Sequence, residues 1–180
     1  GDFNNDGKDD LAIGVPGEDI DNKFNPGMIH VLKGSSSGLT SAGSKTYHQN
    51  SSGVPGVCEN FDSFGFALAV GDLDGNGRDD LVVTVPFEGV GLAISTGIAH
   101  IFRGSSSGLV PTSVTLHQTY SPLLVPLGDT YAETGDHFGW SVACGDLNGD
   151  GNDDVVIGSP HENRDGSFLN GDFVALNLKS

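Results

Sequence analysis

The sequence predicts an all-β fold made of propeller blades, each a sheet of four antiparallel strands. Three observations carry this: a long internal repeat, short apolar strands punctuated by Gly, Asp and Pro, and no segment of helical period. GDFNNDGKDDLAIGVP at 1–16 returns as GDLDGNGRDDLVVTVP at 71–86 and as GDLNGDGNDDVVIGSP at 145–160, offsets of 70 and 74 residues. GMIHVLKGSSSGL at 27–39 answers GIAHIFRGSSSGL at 97–109, and FGFALAVGD at 64–72 answers FGWSVACGD at 138–146.

Four strands per roughly 70-residue repeat is the arithmetic of a blade with long loops. Strand 1 is predicted at Phe64 to Val70 and at Phe138 to Cys144, each running into a Gly-Asp loop. Strand 2 is apolar and β-branched, at Leu11 to Val15, Leu81 to Val85 and Val155 to Ser159. Strand 3, at Ile98 to Phe102, is closed by a Gly-Ser turn, and Val114 to His117 makes a weaker strand 4. The chain thus offers strands 2-3-4 over 1–50, a complete blade over 51–120, and strands 1-2-3 over 121–180. That is about two and a half blades, where a closed propeller has four to eight. A part of a larger propeller is expected, with other blades or chains completing the ring. The start at Gly1, with no charged-then-apolar leader, fits a processed or excised piece.

Composition excludes several functions. The 180 residues carry 24 Asp plus Glu against 8 Lys plus Arg, a net charge of -16. Such a surface neutralises no phosphate backbone and is repelled by anionic lipid, so neither nucleic acid nor membrane is an expected partner. No apolar run approaches the roughly 18 residues of a spanning helix. Cys58 and Cys144 are too few for a disulfide framework, leaving one bridge or two free thiols.

The chemistry lies between strands 1 and 2. Asp2, Asn4, Asp6 and Asp10 fall at loop positions 1, 3, 5 and 9, as do Asp72, Asp74, Asn76 and Asp80, and Asp146, Asn148, Asp150 and Asp154. Alternate oxygen side chains on a tight loop converge on one hard cation, and Gly7, Gly77 and Gly151 at position 6 permit the turn. The carbonyls of Lys8, Arg78 and Asn152 at position 7 would add a ligand. An EF-hand would need Glu at position 12, where Ile13, Val83 and Ile157 stand inside an apolar strand. With oxygen ligands alone, the expected ion is Ca2+, at about three sites, in a structural role. Asp9, Asp79 and Asp153 at position 8 read as turn or supporting residues.

The composite of Phe-Gly, a DxDxDG-type loop and a strand ending in Gly-x-Pro resembles the FG-GAP repeat. Phe64-Gly65 and Phe138-Gly139 match its first element; Gly14-Val15-Pro16 and Gly158-Ser159-Pro160 match its last. Thr84-Val85-Pro86 departs at its first position. The resemblance implies the β-propeller of integrin α chains and of many secreted or surface proteins, hence an extracellular calcium-binding recognition or adhesion module. A lectin-like propeller and an accessory domain of a secreted enzyme are the alternatives it leaves open.

No catalytic set emerges, and no enzyme is expected. Gly34 to Gly38 and Gly104 to Gly108 fit G-x-S-x-G, but they lie between strands and recur once per repeat, as structural turns do. His30 and His100 repeat, as do His48 and His117, whereas His137 and His161 do not. Asn50-Ser51-Ser52 fits a glycosylation sequon. Because strands alternate in direction, the calcium loops and Gly-Ser turns share one face of the blades. The opposite face collects the variable segments 17–26, 48–63, 87–97, 118–137 and 161–170. Specificity resides in such loops, so a protein or glycan ligand is expected there, near Asp19, Asp21, Phe24, Phe87, Glu88, Tyr120, Tyr131, His161, Arg164 and Phe168.

Overall fold

Three antiparallel sheets stand side by side in the computed structural model, which describes residues 1–118, 124–125, 132–162 and 172–176. The first contains β1 (Leu11–Val15), β2 (Met28–Lys33) and β3 (Thr40–Tyr47) in that order. The second is the full blade: β4 (Leu68–Gly71), β5 (Asp80–Val85), β6 (Ile98–Arg103) and β7 (Val110–Leu116). The third contains β9 (Ser141–Gly145), β10 (Asp154–Ser159) and β11 (Asp172–Leu176), with the two-residue β8 (Leu124–Val125) paired on the outer side of β11. That strand, from a segment expected to be loop, sits where a fourth strand belongs. The sheets form consecutive blades and do not close into a ring.

Three strand starts differ from the sequence reading by more than one residue, those of β4, β7 and β9, the last at Ser141 rather than Phe138. β4 begins at Leu68 rather than Phe64, because Ser63 and Gly65 adopt left-handed backbone (φ 62° and 84°) and turn the chain. Phe64 instead pairs with the neighbouring blade, its N–H donating to the Pro26 carbonyl at 2.7 Å; Phe138 repeats this with Thr96 at 2.8 Å. β7 starts earlier than expected, at Val110, since Pro111 costs no ladder bond on an edge strand.

The cores lie between blades. Alternate residues of each strand face opposite sides, so a middle sheet can be covered on both. Leu81, Val83 and Phe102 of the second blade join Phe3, Ile29 and Val31 of the first in one core, with the fully buried Phe64 against Phe102. Val82, Ala99 and Ile101 face the other way and pack on Phe138, Val155 and Ile157 of the third. Every residue of β5 is therefore buried, whereas Leu11 and Ile13, the first-blade counterparts of Leu81 and Val83, are exposed. Thr84, the departure from the repeat, is also buried; its hydroxyl donates to the Ala67 carbonyl and accepts the Ala67 N–H, satisfying itself inside its own blade.

Loop position 2 makes the same point. Phe3 and Leu73 are fully buried because a following blade covers them, while Leu147 is 65 % exposed on the last blade. Leu73→Ala is expected to cost about 2–4 kcal/mol through the cavity it leaves. Leu147→Ala should change stability by less than about 0.5 kcal/mol. Urea midpoints of the two variants check this contrast.

Candidate metal centre

The three acidic loops share one construction. Each position-1 aspartate accepts backbone N–H groups from the turn it opens. Asp2 binds the N–H groups of Asp6 (3.1 Å) and Gly7 (2.8 Å), and Asp72 those of Asn76 (3.0 Å) and Gly77 (2.7 Å). Asp146 binds those of Gly149, Asp150 and Gly151 at 2.7–3.1 Å. The position-6 glycines sit at φ 80°, 77° and 91°, where a side chain would be strained. Burial opposes ionisation of Asp2, but the N–H groups of Gly7, Asp6, Asn5 and Asn4 prevail and lower its pKa. The Gly151 N–H leads the same effect at Asp146. These carboxylates are held charged and oriented by the loop itself.

Position 9 anchors each loop from below, and Asp10, Asp80 and Asp154 are all buried. Asp10 accepts the Gly34 N–H and Asp80 the Gly104 N–H, both at 2.8 Å, tying the acidic loop to the Gly-Ser turn of the same blade. Asp80 also accepts the Leu73 N–H at 3.1 Å, as Asp154 does from Leu147. In the middle loop Asp72, Asp74 and Asp80 each bring an oxygen within 4.8 Å of the others, a hard-oxygen set suited to a divalent cation such as Ca2+. Among the described residues this is the one such trio. Each loop carries three aspartates among positions 1, 3, 5 and 9, but the second stands at position 3 in the middle loop (Asp74) and at position 5 in the others (Asp6 and Asp150).

Arg103, unremarked in the sequence, faces two of the middle loop's carboxylates. Its Nη1 lies 2.5 Å from Asp80 and 3.6 Å from Asp74. Burial raises the Asp80 pKa against the Gly104 N–H and Arg103. At position 5, Asn76 accepts the Arg78 N–H and Asp150 the Asn152 N–H, both at 3.0 Å, bonds that stay within the turn. The Lys8 ammonium folds back to 3.6 Å from the Asp6 carboxylate.

The position-8 aspartates join blades. Asp79 accepts the Asp2 N–H at 2.7 Å and Asp153 the Asp72 N–H at 3.0 Å, so each acidic loop is latched to the one before it. Their recurrence in all three copies was the available signal. A second latch recurs on the opposite face, where Gln49 donates to Glu88 at 2.6 Å and Gln118 to the fully buried Glu162. Glu88, expected near a ligand, also ties the first two blades together.

Burial pushes Glu88 up to about 7 and Asp62 up to about 6. A carboxyl with a raised folded pKa holds its proton more tightly when folded. Its stabilisation is complete below the unfolded value and is lost as pH rises through the folded one. Glu88 should therefore remove on the order of 2 kcal/mol between pH 4.5 and about 7. Glu88→Gln keeps an acceptor for Gln49 and should flatten that part of the stability profile, measured by urea unfolding at each pH.

The variable face is rich in exposed apolar groups: Phe24 (61 %), Val57 (61 %), Phe61 (58 %), Ile94 (69 %) and Leu92, which is fully exposed. A cleft of about 420 Å³ there is lined by Glu59, Phe61, Asp62, Phe87, Leu92 and Ile94, among others. Asp19 is spent on the Asn25 N–H and Asp21 on Asn50. The Asn50 amide is engaged at both ends, since its oxygen accepts the Cys58 N–H. Tyr120, Tyr131, Arg164 and Phe168 lie outside the described residues. Cys58 and Cys144 are free thiols, and burial pushes Cys144 up to about 12. The Ser105 hydroxyl donates to the Gly108 carbonyl at 2.6 Å, and Ser35 does likewise with Gly38, as structural turns would.

Latched antiparallel blades carrying one acidic loop each define a β-propeller repeat protein. The sequence matches the FG-GAP repeat over residues 1–32, 64–102 and 138–173, more than half of the chain, and the chain belongs to that family. It is 32 % identical over 165 residues to rat phosphatidylinositol-glycan-specific phospholipase D, covering 88 % of this chain and 17 % of that protein. It is 36 % identical over 112 residues to mouse integrin alpha-E, covering 60 % of this chain and 9 % of that protein. Fruit-fly (Drosophila melanogaster) integrin alpha-PS2 is 27 % identical over 177 residues, 92 % of this chain and 10 % of its own length. The chain therefore spans under a fifth of the length of these relatives.

Proposed function

We propose that this chain is a calcium-stabilised segment of an extracellular FG-GAP propeller that recognises a protein ligand without catalysing a reaction. Ca2+ would be held in the three strand 1–2 loops, and the ligand on the opposite face. The observation that carries the reading is the grouping of Phe24, Val57, Phe61, Leu92 and Ile94 on the variable loops, where none serves a core. Such grouped exposed apolar side chains are a feature of interaction surfaces. The acidic loops serve the scaffold, and no helix of the described residues is long and apolar enough to cross a membrane.

Beads displaying the chain test this on cultured animal cells. Adhesion is expected with millimolar Ca2+, to survive Leu147→Asp, and to be lost in the Phe61→Asp/Leu92→Asp double variant. Adhesion undiminished in the double variant would overturn the assignment of the ligand to this face.

Similarity to the phospholipases favours a second reading, in which this segment is the accessory, substrate-presenting part of a longer secreted enzyme. The isolated chain is then expected to bind phosphatidylinositol-glycan but not to cleave it, and cleavage would contradict both readings. Aromatic and acidic residues side by side in the cleft, Phe61 with Asp62 and Glu59, also suit a sugar. Saturable binding on a glycan array would select that lectin-like form of recognition.

A further inference from the structure

We propose that His137 and His161 form a second cation site, for a borderline transition ion such as Zn2+ or Cu2+, on the face opposite the acidic loops. The two imidazoles come from different loops, one entering β9 and one leaving β10. Their Nδ1 atoms lie 2.6 Å apart and their ring centroids 4.8 Å apart. Both side chains are half-buried, leaving the pair reachable from solvent.

The repeat shows that the fold does not require them. The corresponding positions of the second blade hold Ser63 and Phe87, and Ser63 makes the same left-handed turn (φ 62°) as His137 (φ 54°). The third blade alone places imidazole at both positions, and the chain fold brings them into contact. Phe87 lies 5.0 Å from the His137 ring, while Trp140 lies 5.7 Å from His137 and 5.9 Å from His161, walling the pair on one side.

Two neutral imidazoles at this distance share one Nδ1–H. If that ring carries its proton on Nε2 instead, both Nδ1 lone pairs become available with no proton lost. Metal–nitrogen bonds of about 2.0–2.1 Å at a tetrahedral angle need the nitrogens about 0.7 Å further apart than they stand, a shift within reach of side-chain rotation. Imidazole nitrogen selects zinc or copper over Ca2+, so this site and the acidic loops would not compete for the same ion. Two protein ligands leave coordination positions open to water or to a ligand's carboxylate, and the net charge of -16 favours any cation.

Trp140, the single tryptophan of the chain, is the reporter. In excess Ca2+, Cu2+ should quench its fluorescence saturably at one equivalent, and a large excess of Zn2+, the weaker binder, should reverse the quenching. His137→Ser and His161→Phe copy the second blade's own residues, so folding is expected to be preserved, as circular dichroism would verify. Each should weaken Cu2+ binding by about tenfold or more. Quenching that is unsaturable, or unchanged in both folded variants, would overturn the proposal.

Discussion

Asp80→Ala is expected to destabilise the chain by about 3–5 kcal/mol, the largest loss from any one acidic-loop substitution. The Asp80 side chain is wholly buried and accepts from the Leu73 N–H, the Gly104 N–H and the Arg103 guanidinium. Truncation leaves two backbone donors and a partly buried cation without their acceptor, and each orphaned group costs more than the bond itself contributed. Asn is no substitute, because it offers an amide donor where donors already converge. Asp154→Ala and Asp10→Ala should cost less, since among the described residues no arginine pairs with either one. Urea unfolding with an unchanged m-value would read the difference as stability. Adding Arg103→Met to Asp80→Ala should recover part of the loss, because the unpaired cation is then gone. Equal midpoints for Asp80→Ala and the parent chain would refute the anchoring role.

Removing calcium is expected to have the next largest effect. Loops of extracellular modules bind Ca2+ with dissociation constants near 10⁻⁴–10⁻³ M. At a tenfold excess of ion each filled site contributes about 1.4 kcal/mol, and three contribute about 4 kcal/mol. For a chain of this size that is roughly 10 °C in melting temperature. The cause is electrostatic: Asp2, Asp72 and Asp146 are each oriented by the N–H groups of their own turn, and the carboxylates that share the loop repel one another without a cation between. Mg2+ should replace Ca2+ poorly, since it demands a smaller, more regular oxygen shell.

Much of this was legible in the sequence because the repeat supplies its own alignment. Strand 2 was placed to the residue at Leu11–Val15, where an apolar β-branched run meets a following proline. The alternation of oxygen side chains along each acidic loop could be read for the same reason, since position 9 recurs as Asp10, Asp80 and Asp154. What could not be read depends on neighbouring blades. Phe64 looks like the start of a strand but is an inter-blade contact fixed by the turn at Ser63 and Gly65. Asp79, Asp153 and the Gln49–Glu88 latch act across an interface that periodicity within one blade does not reveal. Arg103 lies more than twenty residues from the aspartates it faces, and β8 is too short to carry a pattern. His137 and His161 stood out only because they fail to repeat; their contact required the folded loops.

The structural role of the acidic loops is the claim on which the rest depends. Equilibrium dialysis of the chain against millimolar Ca2+ tests it most directly. Three ions per chain are expected, falling to two in Asp72→Ala with the remaining two sites unaltered in affinity. No bound calcium in the parent chain, or loss of every ion from that single substitution, would contradict it.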